Sequence, residues 1–134
     1  MSPFRVKDAA ALLGVSDDTV RRWIDSGSLT ADKDEAGRIV IAGEELAAFA
    51  RNHATSPPDP LGISSSARNR FVGLVTQVTA DGVMAEVQMQ CGPFTVVSLM
   101  SRASAEELGL EPGKLAVAVV KATTVVVETP RGSS

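Results

Sequence analysis

The spacing of apolar residues changes from a helical to a strand-like period near the middle of the chain. Up to residue 53 apolar side chains recur three and four positions apart, and beyond residue 65 they alternate with polar ones. These periods predict a helical domain over residues 1–53 and a β domain over residues 66–129. Residues 54–65 hold three prolines, one glycine and three serines, which predicts a semi-extended linker. A flexible tail is predicted over residues 130–134.

Two short helices joined by a tight turn are predicted near the start of the chain. The first begins at Val6 and stops at Gly14, a residue type that favours helix C-termini. The second runs from Asp17 to about Ser26, and Ser16 is placed to cap its first turn. Such a pair can place its second helix in the major groove of DNA.

The rest of the first half predicts a hairpin and a third helix. Residues 29–41 carry a charged, glycine-containing segment between short extended pieces. This pattern indicates a hairpin wing with Arg38 on its return strand. The last helix is predicted from Glu44 to about Asn52. It turns four apolar side chains toward the same core, namely Leu46, Ala47, Phe49 and Ala50.

The segment from Ala10 to Trp23 contains the pattern Ala-x-x-Leu-Gly-Val-Ser-x-x-Thr-Val-x-x-Trp. With it, residues 4–50 resemble the winged helix-turn-helix domain of the excisionase and MerR-like families. The resemblance implies double-stranded DNA as a partner. The residues implied to face DNA are Ser16, Thr19 and Arg22 on the recognition helix, Arg21 on phosphate, and Arg38 from the wing.

Two points weigh against a simple reading of that resemblance. These families often place a Thr or Ser cap where this chain has Arg5, and its loss should weaken the helix start by about 1 kcal/mol. Arg21 and Arg22 could equally be a solvated helix face.

The second half is predicted to fold as five short strands and one brief helix. The helix is predicted to open with a capping box at Ser104 and to end at Gly109. This set of elements predicts a small Greek-key barrel of OB type. Phe71 and Phe94 are its only aromatic residues, so we expect a thin core that self-association helps to stabilise. The predicted strands are Phe71 to Thr79, Val83 to Gln90, Phe94 to Met100, Leu115 to Val120, and Thr123 to Glu128.

Two segments of the predicted β domain combine cations and hydroxyls without a carboxylate. Ser66-Ala67-Arg68 comes directly before the first strand, and Lys121-Ala122-Thr123 lies at the junction of the last two. A tetrahedral dianion requires charge-assisted donors of this kind converging from several sides.

Four motifs of the second half occur in the order found in the Mop or TOBE domain. They are Ser66-Ala-Arg-Asn-Arg-Phe-Val-Gly73, Ala85-Glu-Val87, Glu106-Glu-Leu-Gly-Leu-Glu-Pro-Gly113 and Ala118-Val-Val-Lys-Ala-Thr123. Residues 64–128 therefore resemble this molybdate-binding module. The resemblance implies molybdate or tungstate as the ligand, with the metal bound only as its oxyanion. It also implies sites between the subunits of a homo-oligomer, either a dimer or a trimer of dimers. The implied contact residues are Ser66, Ala67, Arg68, Lys121, Ala122 and Thr123, together with Ser101 and Ser104.

The second half also departs from the pattern of that family in two places. Residues 90–94 replace a Gly-rich turn, which we expect to alter only a loop. Arg102 stands where Asn is common, and it could add a donor or signal a changed ligand.

Charge and composition limit the possible functions. The net charge is −3, and residues 1–53 hold seven Lys/Arg against nine Asp/Glu. This balance is adverse for DNA binding, which depends on phosphate neutralisation. One cysteine, one histidine and no export signal or membrane-length apolar run favour a cytoplasmic protein that neither contacts a membrane nor acts as an enzyme.

The two resemblances together imply a molybdate- or tungstate-responsive transcriptional regulator that binds DNA through its first domain. Two alternatives stay open. The protein could store or buffer molybdate, with the helical domain serving only as a tether. It could also bind DNA and use the barrel only as an oligomerisation platform.

Overall fold

The computed structural model describes residues 3–130 and contains two compact units. We call residues 3–55 the helical unit and residues 56–127 the β unit. Most of the predicted tail, residues 131–134, lies outside the described residues.

The helical unit has the predicted order of helices and a small antiparallel sheet. In that sheet β1 and β2 both pair with β3. The hairpin of β2 and β3 is the predicted wing, and it follows two helices joined by a tight turn. The winged helix-turn-helix fold is therefore confirmed. Its elements are β1 (Phe4–Arg5), α1 (Val6–Leu13), α2 (Asp17–Asp25), β2 (Asp32–Lys33), β3 (Ile39–Ile41) and α3 (Gly43–His53).

The helix ends follow from residues that the sequence places there. Gly14 ends α1 with φ of +68°, a conformation that glycine adopts without steric cost. The Ser16 side chain accepts the Thr19 N–H at 3.2 Å, as predicted for the start of α2. Arg5 occupies the equivalent position before α1 and makes no capping hydrogen bond through its side chain.

One buried cluster joins all three helices to the wing. Ile41 and Val20 are fully buried in it, and Trp23 packs against Phe49 with 4.8 Å between ring centroids. The prediction that Ala47 points inward was wrong, because it lies on the exposed side of α3. The buried members are Val6, Ala9, Ala10, Val20, Leu29, Ile41, Leu46 and Phe49.

The β unit is a four-stranded antiparallel sheet with the order β6-β5-β4-β7. Residues of both edge strands pack on one buried cluster of Val75, Val87, Met89 and Cys91, so the sheet is curled in the manner of an OB-like domain. The elements are β4 (Asn69–Ala80), β5 (Met84–Cys91), β6 (Phe94–Ser101), α4 (Arg102–Glu107), β7 (Leu115–Val120) and a 3₁₀ turn (Ala122–Thr124).

Close packing in this cluster involves one glycine and the free cysteine. A Cβ atom on Gly73 would lie 2.7 Å from Cys91 Sγ and would also overlap the Gln90 carbonyl oxygen. Cys91 is buried, and burial raises the pKa of its thiol. The two aromatic residues expected in the core, Phe71 and Phe94, are instead exposed.

Three local predictions for the β unit were wrong. The predicted fifth strand over residues 123–128 is a 3₁₀ turn followed by chain outside the sheet, because no strand edge of the described chain pairs with it. The cap of α4 is Ser101 rather than Ser104, since Ser101 Oγ accepts the Ser104 N–H at 3.0 Å. Val83, the first residue of the predicted second strand, lies before β5 and is exposed, whereas Ala85, Val87 and Met89 within β5 are buried.

Candidate functional site

Antiparallel pairing of β4 with β7 brings the two donor segments to one end of the β unit. Asn69, the first residue of β4, is opposite Val120, the last residue of β7. The Asn69 side-chain amide donates to the Val120 carbonyl at 3.1 Å and closes this end. Residues 66–68 and 121–123 therefore lie next to each other, although more than fifty positions separate them in the sequence.

The side chains of these two segments are accessible, which a ligand site requires. Ser66, Arg68, Lys121 and Thr123 are exposed, whereas Ala67 is buried. Arg68 Nη1 donates to the Ser66 carbonyl at 3.3 Å, which holds that guanidinium over its own segment. Ala122 and Thr123 open a 3₁₀ turn, whose first N–H groups have no partner within the turn. This end therefore presents two cations, two hydroxyls and free amides, a donor set suited to a tetrahedral oxyanion.

Ser101 and Ser104 lie at the opposite end of the same sheet. Ser101 is opposite Met84, and its neighbour Ala85 is opposite Ala80, the last residue of β4. The two ends of the 12-residue strand β4 separate the two groups, so within one copy the strand register places these serines away from Arg68 and Lys121.

Both of those serines, and the neighbouring Arg102, are engaged in local contacts. Ser101 Oγ donates to Ser104 Oγ at 2.8 Å, which leaves the Ser104 hydroxyl hydrogen free. Arg102 Nε donates to Glu106 at 2.9 Å and Nη1 to the Asp81 carbonyl at 3.1 Å. The guanidinium of Arg102 thus secures the start of α4.

The residues predicted to face DNA form a connected row on α2. Ser16 Oγ and Thr19 Oγ1 are 3.0 Å apart, and Arg22 Nη2 donates to Thr19 Oγ1 at 3.1 Å. Ser16 and Arg22 are exposed and Thr19 is half-buried. The row orients the Arg22 guanidinium along the outer face of the helix.

Arg21 and Arg38 line a separate open groove of about 550 Å³ between the helices and the wing. The same groove is lined by Arg5 and Lys7, two residues that no sequence motif indicated. Arg38 is partly neutralised there, since its Nε lies 3.2 Å from Asp34 Oδ2. The backbone N–H of Arg38, its nearby charge and other local donors hold the pKa of the Asp34 carboxyl below its usual value.

Two other features, a metal-binding cluster and a membrane-spanning helix, are absent from the described residues. Among residues 3–130, His, Cys, Asp and Glu form no cluster of three or more that could hold a metal ion. No helix in that range is long and apolar enough to cross a bilayer.

The fold defines a class of protein in which a winged helix-turn-helix domain precedes an OB-like β domain. The donor end of the β unit and the polar row on α2 are its two candidate binding surfaces. Residues 65–127 match the TOBE domain family, and residues 4–54 match a helix-turn-helix domain family. The chain belongs to the TOBE domain family and carries the helix-turn-helix domain ahead of its TOBE domain.

Relatives support both the assignment and the fusion. The chain is 34% identical over 91 residues to the molybdenum transport protein ModE of Azotobacter vinelandii, covering 66% of this chain but 32% of ModE. It is 43% identical over 63 residues to a probable molybdenum-pterin-binding protein of Haemophilus influenzae, covering 46% of this chain and 91% of that protein. This chain therefore spans about one third of ModE and nearly all of the Haemophilus protein.

A solved structure supports the β fold. The cytoplasmic molybdate-binding protein ModG, with molybdate bound, has a TM-score of 0.50 and 36% identity to this chain. The match covers 54% of this chain and 52% of ModG. The names of all three relatives describe transport or binding proteins.

Proposed function

We propose that this protein is a molybdate- or tungstate-responsive regulator that binds DNA through its helical unit. The observation that carries the proposal is the pairing of Asn69 with Val120, which brings Arg68 and Lys121 to one end of the β unit. Neither donor segment contains a carboxylate, so a bound dianion meets no competing acceptor there. The names of ModE, ModG and the Haemophilus protein support molybdenum as the element recognised.

The proposed oxyanion site is completed by a second copy of the chain. Ser101 and Ser104 lie at the far end of the sheet from Lys121, so one copy supplies two separated parts of the donor set. A two-fold axis that aligns two sheets in opposite directions brings the serine end of one copy to the cation end of the other. We infer a dimer, or a trimer of such dimers, with oxyanion held between subunits.

The apolar surface of the β unit supports self-association. Leu99, Val126 and Val127 have exposed fractions of 70%, 84% and 82%. An apolar concavity between the two edge strands also lies open, with Val96, Met100 and Leu115 among its lining residues. Apolar surface this extensive on a small domain marks an interaction site.

The helical unit supplies the proposed contact with double-stranded DNA. Ser16, Thr19 and Arg22 lie in one row on α2, the recognition helix of the fold. Arg21, exposed on the same helix, is proposed to contact phosphate, and Arg38 is proposed to reach DNA from the wing. We further propose a non-enzymatic, cytoplasmic role, because the related ModG is a cytoplasmic molybdate-binding protein.

The ligand assignment is tested by calorimetric titration of the full chain with molybdate, tungstate and sulfate. Lys121→Ala should weaken molybdate binding by about 1.5–3 kcal/mol, because it removes one charge-assisted contact. Lys33→Ala is the control, since Lys33 is exposed on β2 of the helical unit and lies outside the β unit. Equal affinities for the wild type and Lys121→Ala would contradict the proposed site. Sulfate binding as tight as molybdate binding would contradict the ligand class.

The regulatory part of the proposal is tested with a duplex selected from a random pool. Saturating molybdate should change the affinity of the protein for that duplex by the coupling of about 1–3 kcal/mol that is usual between linked sites. A change of less than about twofold would contradict regulation. Native mass measurement with and without molybdate gives the assembly and stoichiometry in the same conditions.

A storage or buffering protein is the second candidate function. The observation that favours it is the match to the Haemophilus protein, which covers 91% of that relative and lies in a 63-residue stretch of this chain. Molybdate binding without preference for any selected duplex over a mixed one would favour storage. Selective DNA binding without any oxyanion binding would instead leave the β unit as an oligomerisation platform.

A further inference from the structure

The helical unit carries two concave surfaces of opposite charge. The first, which we call the cationic groove, is lined by Arg5, Lys7, Arg21, Arg38, Asp8 and Asp17, a net charge of +2. The second is lined by Lys33 and four carboxylates, a net charge of −3, with Asp32, Asp34, Glu44 and Glu45 as its acidic members. Positive and negative side chains are therefore separated onto different surfaces of the helical unit, although their numbers in the sequence are nearly equal.

Arg5 stands out in the cationic groove because its position favours a different residue type. It is the residue before α1, and its side chain makes no hydrogen bond to the first turn. Ser16, in the equivalent position before α2, does make one. Arg5 therefore gives no capping to α1, and what it adds at this place is an exposed positive charge.

The cations of the groove differ in how far they are neutralised. Arg38 forms an ion pair with Asp34. Arg5, Lys7 and Arg21 are exposed and form no ion pair with the described residues of the chain. These three come from the strand and helix that precede α2 and from α2 itself, so they lie beside the helix proposed to enter the major groove.

We propose that Arg5, together with Lys7 and Arg21, binds phosphates of the DNA backbone that flank the major groove read by α2. This inference rests on the proposed DNA-binding function and adds Arg5 and Lys7 to the phosphate contact already proposed for Arg21. Cations that form no ion pair within the described chain can neutralise phosphates and release the condensed counterions of DNA, which supplies affinity independent of sequence. The segregation of charge removes the objection raised by the net negative charge of residues 1–53.

The test measures binding of the full chain to a short fluorescein-labelled duplex of mixed sequence between about 50 and 200 mM salt. Each phosphate contact contributes about 0.9 to the slope of log affinity against log salt. Arg5→Gln should therefore reduce that slope by about 0.9 and weaken binding roughly eightfold at about 0.1 M salt. Arg51→Gln is the matched control, because Arg51 is exposed on α3 and does not line the groove.

A second variant separates phosphate contact from folding. Arg5→Thr restores a capping residue, so it should raise the thermal unfolding midpoint by roughly 4–8 °C while weakening DNA binding as Arg5→Gln does. A misfolded variant cannot produce that pair of opposite changes.

The outcomes distinguish this inference from the function on which it rests. If the wild type binds the duplex and Arg5→Gln has the same slope as Arg51→Gln, the role of Arg5 is overturned and DNA binding stands. If the wild type binds neither the mixed duplex nor any duplex of a random pool, the role of Arg5 and the proposed DNA-binding function are both overturned.

Discussion

The two units differ in how completely a single copy buries its apolar residues. Among residues 3–130, sixteen large apolar side chains are strongly exposed, and Leu12 is the one that belongs to the helical unit. The helical unit has eight buried residues in its core cluster, whereas the β unit has four. A small sheet with so few buried residues is a marginal structure by itself.

This difference fits the partners that we propose for the two units. The helical unit buries its apolar residues internally and presents polar and charged side chains, which suits the surface of DNA. The β unit presents apolar side chains and incomplete donor sets, which suits a second copy. In the proposed assembly the same contact buries the apolar surface and completes the oxyanion site, so we expect ligand binding and assembly to be thermodynamically linked.

The largest expected effect is on the complete core of the helical unit. Ile41 is fully buried, so Ile41→Ala should lower the free energy of unfolding of this unit by about 2–5 kcal/mol. Trp23 is the only tryptophan and packs in this core, so urea denaturation followed by its fluorescence reports this unit.

Leu99→Ala is the comparison for that measurement, because Leu99 is 70% exposed in the β unit. It should leave the Trp23 transition unchanged and weaken self-association measured by sedimentation. If Ile41→Ala and Leu99→Ala lowered the free energy of unfolding measured by Trp23 fluorescence equally, the proposed difference between the two units would be contradicted.

The next effect is on the close packing of the curled sheet. Gly73→Ala places a Cβ atom against Cys91 Sγ and the Gln90 carbonyl oxygen, so we expect a loss of about 1–3 kcal/mol in the stability of the β unit. Far-UV circular dichroism during urea denaturation measures it. Gly82→Ala is the control, since nothing lies within 4 Å of its added Cβ and its φ is not positive. Similar losses for both variants would refute the packing argument.

The smallest effect concerns an ion pair of the β unit. Arg70 Nε lies 2.6 Å from Asp59 Oδ2, and this hydrogen bond is the main cause of the lowered pKa of Asp59. A folded-state pKa below the usual 3.8 means that the ionised carboxylate stabilises the unit above that pH. That contribution is lost as the pH falls through the lowered value.

Asp59→Asn therefore should destabilise the β unit slightly at pH 7, and the difference from the wild type should shrink progressively below about pH 4. Urea midpoints from circular dichroism at several pH values measure this. A difference that stays constant down to about pH 2 would show that the ion pair is not its source.

Local sequence signals predicted the helical unit more closely than the β unit. Gly14 ends α1 and Ser16 caps α2 through contacts within four residues along the chain. In the β unit, Ser101 and Ser104 are both suitable caps. The choice depends on where β6 ends, and pairing of Ser101 with Met84 determines that.

The predicted fifth strand shows the same limit. Residues 123–128 are rich in β-branched side chains, yet a strand also needs a partner edge, and none in the described part of the chain is used.

For the functional surfaces too, the sequence indicated residue types but not which residues lie close together. Arg68 and Lys121 were identified from residue types and motif order, but their proximity depends on the register of β4 and β7. Arg5 was identified only as a missing cap.

The sequence by itself determined the residue types of both donor segments, the helix ends and the boundary between helical and strand periods, because these depend on neighbours close along the chain. The tertiary structure decided which distant segments meet, which faces are buried and how charge is distributed over the helical unit. Those outcomes depend on strand register and packing between residues far apart in sequence, for which no local preference exists. The two ends of β4 illustrate this, since one gathers the cations and the other the serines.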